Sequence, residues 1–371
     1  MTTASTGAMS SPTSAGPVPE VFTEGDALYA DMLKGMEGAQ RRIWLETYIF
    51  ADDDIGRRFV EVLGRRAREG LDVRVQIDAA GSLFWRGNRV AAALREQGVS
   101  LQWFHRWNWR HALRYNRRNH RKLLVIDSDC AYLGGFNIHS ENSLQLEGEG
   151  RWRDTHARIG EPTAVKQAAE LFLGFWRKPY RDSPGIYDSP LGSLVSSHNR
   201  HLRRHLRLRM ALMLRRARRE VCVTTPYFIP YIGLVRALSV AAAQGADVRV
   251  LVPGRLNNHP VARWAAQAVY APLLAQGVRI FEYQPRMLHA KTLLCDGEVC
   301  ALGTANMDYR SFFLNCELML FTENAALCRR LAEDFVRDQE QAEEIHLNTW
   351  SKRPWLNRIL ERYGWMLRRL L

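Results

Sequence analysis

Two stretches of this chain share one skeleton: HRKLLVIDSDCAYLGGFN at 120–137 and HAKTLLCDGEVCALGTAN at 289–306. His120, Lys122, Asp127, Gly134 and Asn137 recur 169 residues later as His289, Lys291, Asp296, Gly303 and Asn306. Chance does not readily place five polar or glycine positions at one offset, so the chain reads as a duplication. Whatever it folds into must be buildable twice.

The repeat extends outward from that motif. RRIWLETYIF (41–50) is matched by REVCVTTPYF (219–228), GLDVRVQI (70–77) by GADVRVLV (245–252), and EQGVSLQWF (96–104) by AQGVRIFEY (275–283). Each unit reads as helix, strand, helix ending in Gly, strand, helix, strand, then the His–Lys strand. Short β-rich apolar runs alternating with helical patterns specify an α/β architecture with a largely covered sheet. A length of 371 residues is comfortable for two cores. The expected organisation is a disordered Ser/Thr/Pro-rich tail at 1–19 and a first lobe at 20–186. A linker follows at 187–198, then a second lobe at 199–348 and a C-terminal basic amphipathic helix at 349–371.

Taken as a strand, HRKLLVID puts His120 and Lys122 on one face, and the second copy does the same with His289 and Lys291. An imidazole beside a fixed ammonium makes a phosphate site. The lysine neutralises phosphate oxygens, and the histidine attacks phosphorus or moves a proton. Gly134 and Gly135 would let backbone amides approach an anion, and Asn137 and Asn306 would donate amide hydrogens to a phosphoryl oxygen. Nothing in the motif is a metal cage, so phosphoryl chemistry with neither metal nor cofactor is expected.

Asp127 lies seven residues beyond His120, roughly 23 Å along a strand and on the opposite face. Neither it nor Asp296 can orient its own histidine, and both precede turn sequences, so a fold-holding role is expected for the pair. Other carboxylates must hold the imidazoles. WRDTHARI puts Asp154 and His156 on one face, and LNCELML does so for Asn315 and Glu317. An offset of 161 pairs Asp154 with Asn315 and His156 with Glu317. A carboxylate on a strand beside each histidine would fix its tautomer and raise its basicity.

These residues resemble the phospholipase D superfamily, whose mark is H-x-K-x4-D followed by a Gly-x-x-Asn element. Within it, WRDTHARIGEP, TPYFIP and GTANMDYRSFFLNCEL make the chain similar to bacterial cardiolipin synthases of a short type without N-terminal transmembrane helices. Gly135 and Thr304 depart from the superfamily's frequent Ser. The resemblance implies a bilobed fold of two duplicated α-β-α lobes with one active site at their pseudo-twofold interface. It implies ping-pong transfer through a phosphohistidine, with His120 as nucleophile and His289 as general acid, then base. Glu317 would pair with His120, and Asp154 with His289. The implied reaction joins two phosphatidylglycerols and frees glycerol. Water as acceptor would give phospholipase D activity, and another alcohol or phosphatidylethanolamine would give a related transfer.

The formal charge of +13 points to an anionic partner without choosing among nucleic acid, anionic lipid and phosphorylated substrates. None of the six cysteines forms a C-x-x-C pair, and several sit in apolar runs as small hydrophobes. No signal peptide or uninterrupted membrane-spanning run is evident, so a peripheral protein on the cytoplasmic side of the cell membrane is expected. The segment WLNRILERYGWMLRRLL repeats Trp355, Ile359, Tyr363, Met366, Leu367 and Leu370 at helical spacing, with Arg358, Arg362, Arg368 and Arg369 as its basic side. That suits an interfacial helix on anionic lipid; the alternative is an apolar stripe docked on the core. RWNWRHALRYNRRNHRK (106–122) reads as a lipid-facing rim, a base-stacking groove or a solvated loop. The basic stretch 199–220 carries apolar residues at helical spacing and is expected as a core helix with a charged outer face. The rival functions are a nuclease or other phosphodiesterase of the same superfamily and a catalytically dead binder of anionic lipid.

Overall fold

A computed structural model of the chain describes residues 18–107, 109–111, 115–177 and 184–371. The expected tail falls almost wholly outside the described residues, as does part of 106–122. The first sheet has seven strands: β1 (Glu20–Phe22), β2 (Arg42–Thr47), β3 (Asp72–Asp78), β4 (Ser100–Phe104), β5 (Leu123–Ile126), β6 (Cys130–Gly134) and β7 (His156–Ile159), in the order β1-β7-β6-β5-β2-β3-β4. The second has nine: β8 (Ile186–Ser189), β9 (Gly192–Ser196), β10 (Glu220–Thr224), β11 (Asp247–Pro253), β12 (Arg279–Tyr283), β13 (Thr292–Cys295), β14 (Val299–Gly303), β15 (Leu318–Thr322) and β16 (Ala342–Ile345). Their order is β16-β12-β11-β10-β13-β14-β15-β9-β8.

The sheets repeat one pattern. β2-β3-β4 and β10-β11-β12 are parallel, while β5-β6-β7 and β13-β14-β15 continue antiparallel. Parallel strands need crossover helices, which cover the faces and account for apolar runs such as LLVI in β5, buried throughout. Only the edges differ. β1 closes the first sheet beyond β7, whereas the hairpin β8–β9 takes that place beyond β15.

That hairpin corrects the expected linker at 187–198. Leu191, Leu194 and Val195 are buried, and Gly192 turns the chain where a Cβ would strike the carbonyl of Phe321. Pro, Gly and Ser punctuate a hairpin as readily as a linker. The basic stretch around 199–220 forms helix Arg200–Arg216, burying Leu202, Leu206, Met210 and Leu214.

One apolar cluster is continuous across the two lobes. It joins Leu123, Leu133 and Phe172 to Leu288, Leu302, Leu318 and Phe335. All six cysteines are buried and unbridged. Among the described residues, no helix is long and apolar enough to cross a membrane. The run VARWAAQAVYAPLL splits into helices Pro260–Gln267 and Tyr270–Leu274.

Candidate active site

Strand pairing within each lobe stops at Leu123 and Thr292. The residues just before them cross to the other lobe. The amide of His120 donates to the carbonyl of Cys316 (2.9 Å), and the Cys316 amide donates to the carbonyl of Arg118 (2.9 Å). The mirror pair is His289 to Arg153 (2.6 Å) and Arg153 to Met287 (2.8 Å). Each histidine is therefore hydrogen-bonded, backbone to backbone, to the residue just before a carboxylate of the opposite lobe.

His120 Nδ1 lies 2.9 Å from Glu317 Oε2, and His289 Nδ1 lies 2.6 Å from Asp154 Oδ2. The 161-residue offset is corrected by the strand register. Gly134 faces His156 in β7, and Gly303 faces Met319 in β15, so the true offset is 163 and Asp154 is the counterpart of Glu317. His156 is buried against Phe136 and stays out of the site; burial pushes its pKa down to about 3. Asn315 lines the cavity and its amide approaches Glu317 Oε1 at 3.4 Å.

With Nδ1–H held by a carboxylate, each imidazole presents Nε2 as its reactive nitrogen. Burial raises the pKa of both carboxyls, but their partners outweigh it. Lys291, His289 and the Thr155 amide hold Asp154 below the usual range, and His120, Thr304 and Lys122 do the same for Glu317. Burial depresses both histidines, and the neighbouring lysines add to it. His289 is pushed down to about 3. Lys291 Nζ is 2.8 Å from His289 Nδ1, which places a cation where a second ring proton would be repelled. Burial also brings Lys122 down to about 7 and Lys291 to about 8.

Asn137 spends its Oδ1 on the amide of Ile49 (3.1 Å), which leaves the NH2 group for a ligand. Asn306 donates to Asp308 at 3.2 Å, and burial lifts the Asp308 carboxyl to about 6. The two motif aspartates lie elsewhere. Asp127 accepts from the amides of Gln40, Arg41 and Arg42 at 2.7 to 2.8 Å. Asp296 accepts from Arg218, Arg219 and Glu220. Each thus clamps the turn between the first helix and first central strand of its lobe.

Gly135 does not offer its amide to an anion: its N–H donates to Thr155 O at 2.8 Å. What Gly135 provides is room, since a Cβ there would come within 1.9 Å of Asp154 Oδ1. In the second lobe that place belongs to Thr304, whose hydroxyl donates to Glu317 Oε2 at 2.5 Å. The sequence reading also passed over Tyr48 and Tyr227, whose rings sit 4.9 Å from His120 and 6.4 Å from His289, and Trp152, 5.1 Å from His289. The tyrosines lay inside matched repeat segments, ETYIF and TPYF, which was the available signal.

All of this opens into one cavity of about 550 Å³ lined by both histidines and both asparagines. A larger groove of about 900 Å³ beside helix Arg200–Arg216 lacks any paired histidine and carboxylate of this kind. Among the described residues no cluster could hold a metal ion. The cavity thus brings together two imidazoles, one from each lobe, with a lysine buried two residues beyond each.

The family model described as "Cardiolipin synthase, PLD-like domain" matches residues 32–176 and 210–339. The cardiolipin synthase of Clostridium perfringens strain SM101 is 32% identical over 358 residues, covering 92% of this chain and 74% of its own. That of Geobacillus thermodenitrificans is 35% identical over 365 residues, covering 95% and 72%. A phosphatidylserine synthase from Haemophilus influenzae superposes with a TM-score of 0.74 over 95% of both chains; at 14% identity that likeness concerns the fold alone.

Proposed function

The chain belongs to the phospholipase D-like family of cardiolipin synthases, and from that premise we propose that it moves a phosphatidyl group from one phosphatidylglycerol to another. The observation that carries the reading is the pair of buried histidines, one per lobe, each fixed through Nδ1 by a carboxylate of the other lobe at one cavity.

In the first half-reaction His120 Nε2 attacks phosphorus. The N–P bond forms as the P–O bond to glycerol breaks, and the departing oxygen takes a proton from His289 Nε2. In the second, His289 accepts the proton of an incoming glycerol hydroxyl. Its oxygen attacks phosphorus, the N–P bond breaks, and cardiolipin leaves with His120 restored. Lys122, Lys291, Asn137 and Asn306 hold the phosphoryl oxygens. The order of roles between the histidines follows the family likeness, because their geometry is nearly symmetric. Burial is the largest cause of the depressed His289 pKa and the charge of Lys291 adds to it; a phosphodiester anion beside the ring opposes both and favours the imidazolium that protonates the departing alcohol.

Access is from a lipid surface. Helix Trp355–Leu367 docks through Gly364, which packs on Trp264 and Ala265, and through Trp365, which packs against the buried apolar residues of the second lobe. Its apolar residues Trp355, Ile359, Tyr363 and Met366 stay exposed, and Leu370 just beyond lines the cavity mouth. Trp107 and Trp109 are also exposed, and Trp107 packs edge-on against Tyr115 at the same mouth. Apolar side chains around the opening, on a chain of charge +13, suit an anionic bilayer.

Product analysis on phosphatidylglycerol vesicles tests the reading. Cardiolipin and free glycerol are expected from the unmutated protein, and neither from His120→Ala or His289→Ala. Phosphatidate alone would replace the transferase by a hydrolase. Cleavage of single-stranded DNA with no lipid product would replace it by a nuclease.

A further inference from the structure

The two walls of the cavity treat charge differently. On the His120 side stand Tyr48, Asn116 and Arg118, with Arg310 donating to the carbonyl and side-chain oxygens of Asn116. Arg118 is paired with Asp78 at 3.4 Å, whereas among the described residues Arg310 has no carboxylate partner, so this wall is cationic through Arg310. On the His289 side stand Trp152, Tyr227, Asn258 and His259. No lysine or arginine joins them among the described lining residues. At the position equivalent to Arg310, the first lobe has Glu141, whose field reaches Tyr227.

The neutral wall is rich in unspent hydrogen-bonding capacity. Tyr227 Oη donates to Asn258 Oδ1 at 2.9 Å, which leaves the tyrosine lone pairs and both amide hydrogens of Asn258 available. His259 Nδ1 accepts from the amide of Ala262 at 3.3 Å, so the ring proton sits on Nε2, a further donor. The Tyr227 ring contacts both His289 and His259, so this group begins where the catalytic imidazole ends.

We propose that Tyr227, Asn258 and His259 form a vicinal-diol subsite that reads the glycerol headgroup beside His289. This deepens the function proposed above and rests on it. The alcohol that leaves is glycerol itself, with both remaining hydroxyls free, whereas the attacking headgroup is already esterified at one end, so the full diol is read in the first half-reaction and in its reversal by free glycerol. Two donors and an acceptor match the two hydroxyls of glycerol that remain beyond the reacting oxygen.

The test is a competition between acceptors. Phosphatidylglycerol vesicles are supplied with equal concentrations of deuterated glycerol and 1-propanol, and labelled phosphatidylglycerol and phosphatidylpropanol are counted by mass spectrometry. The unmutated protein is expected to favour glycerol by about tenfold or more. Asn258→Ala should lower that ratio about fivefold. His259→Asn should lower it too, while keeping a residue able to cap the following helix. A lesion of structure alone reduces both products together and leaves the ratio unmoved, and that result would overturn the subsite. An unmutated protein that makes cardiolipin without preferring glycerol would also overturn it and leave the function standing. A protein with no lipid product removes both.

Discussion

The two halves of the candidate site carry the same pairing of histidine with carboxylate and support it differently. In the first lobe a shorter carboxylate, Asp154, reaches His289 over a bare Gly135; in the second a longer one, Glu317, reaches His120 and is pinned by the Thr304 hydroxyl. Glu317 also accepts from Ser311 at 2.9 Å, whereas Asp154 accepts from the adjacent Thr155 amide at 2.7 Å. A duplicated scaffold thus fixes where the imidazole must be, while the means of holding its carboxylate varies with the length of the side chain. The mouth has diverged further, with Glu141 and His139 in one lobe where Arg310 and Asp308 stand in the other. The histidine–carboxylate pairs are thus alike in the two lobes, and the cavity walls beyond them are not.

Exchanging the supports breaks that comparison most severely. Gly135→Ser places a Cβ against the Asp154 carboxylate, which must move and drag His289 from alignment. Turnover should fall about 100-fold. Thr304→Val leaves Glu317 in place with one hydrogen bond fewer, and turnover should fall only about fivefold. Initial rates of glycerol release measure both. Equal losses would mean that the two carboxylates are held alike after all.

The lysines sharpen the comparison through pH. With folded pKa values depressed to about 7 for Lys122 and about 8 for Lys291, the site loses positive charge as pH rises through that window. The protonated lysines bind the phosphodiester, so kcat/KM on a soluble phosphodiester should fall as pH rises from about 6 to about 9, by about tenfold per unit between the two pKa values and more steeply above them. After burial, the largest cause depressing Lys122 is the charge of Lys291. In Lys291→Met the residual falling limb should therefore move to higher pH. A profile flat across that range would show that both lysines stay charged without substrate.

Much of this was legible in sequence because duplication prints its own alignment. His120 and His289, the lysines and the asparagines stood at one offset, and alternating helical and strand patterns gave the layers. The carboxylates were found, but with a two-residue slip, because the loops before β7 and β15 differ in length and only strand register fixes the pairing. The hairpin at β8–β9 was hidden because its turn residues are also linker residues. Gly135 was read as an anion-facing backbone, when its meaning is the space it leaves for a side chain 19 residues away. Such facts are tertiary: composition and periodicity carry no record of which atom fills a void.

The aspartates give the mildest test, one of stability rather than turnover. Asp127 and Asp296 both take positive φ, 50° and 58°, and each accepts from three successive backbone amides. Burial alone would raise their pKa values, but those amides hold both below the usual carboxylate range. Their stabilisation is therefore complete above the unfolded-state pKa and is lost as pH falls through the lower folded value. Asp127→Ala strands the amides and puts alanine in a left-handed conformation, costing about 2–4 kcal/mol. Asp127 is 3% exposed, whereas Asp296 is more open, so water can replace more of what Asp296→Ala removes, and its loss should be smaller. Thermal unfolding at neutral pH ranks the two. The gap between them should close in acid, where the parent carboxylates are themselves protonated; a gap that persists there would mean that packing, rather than the charged cap, separates the lobes.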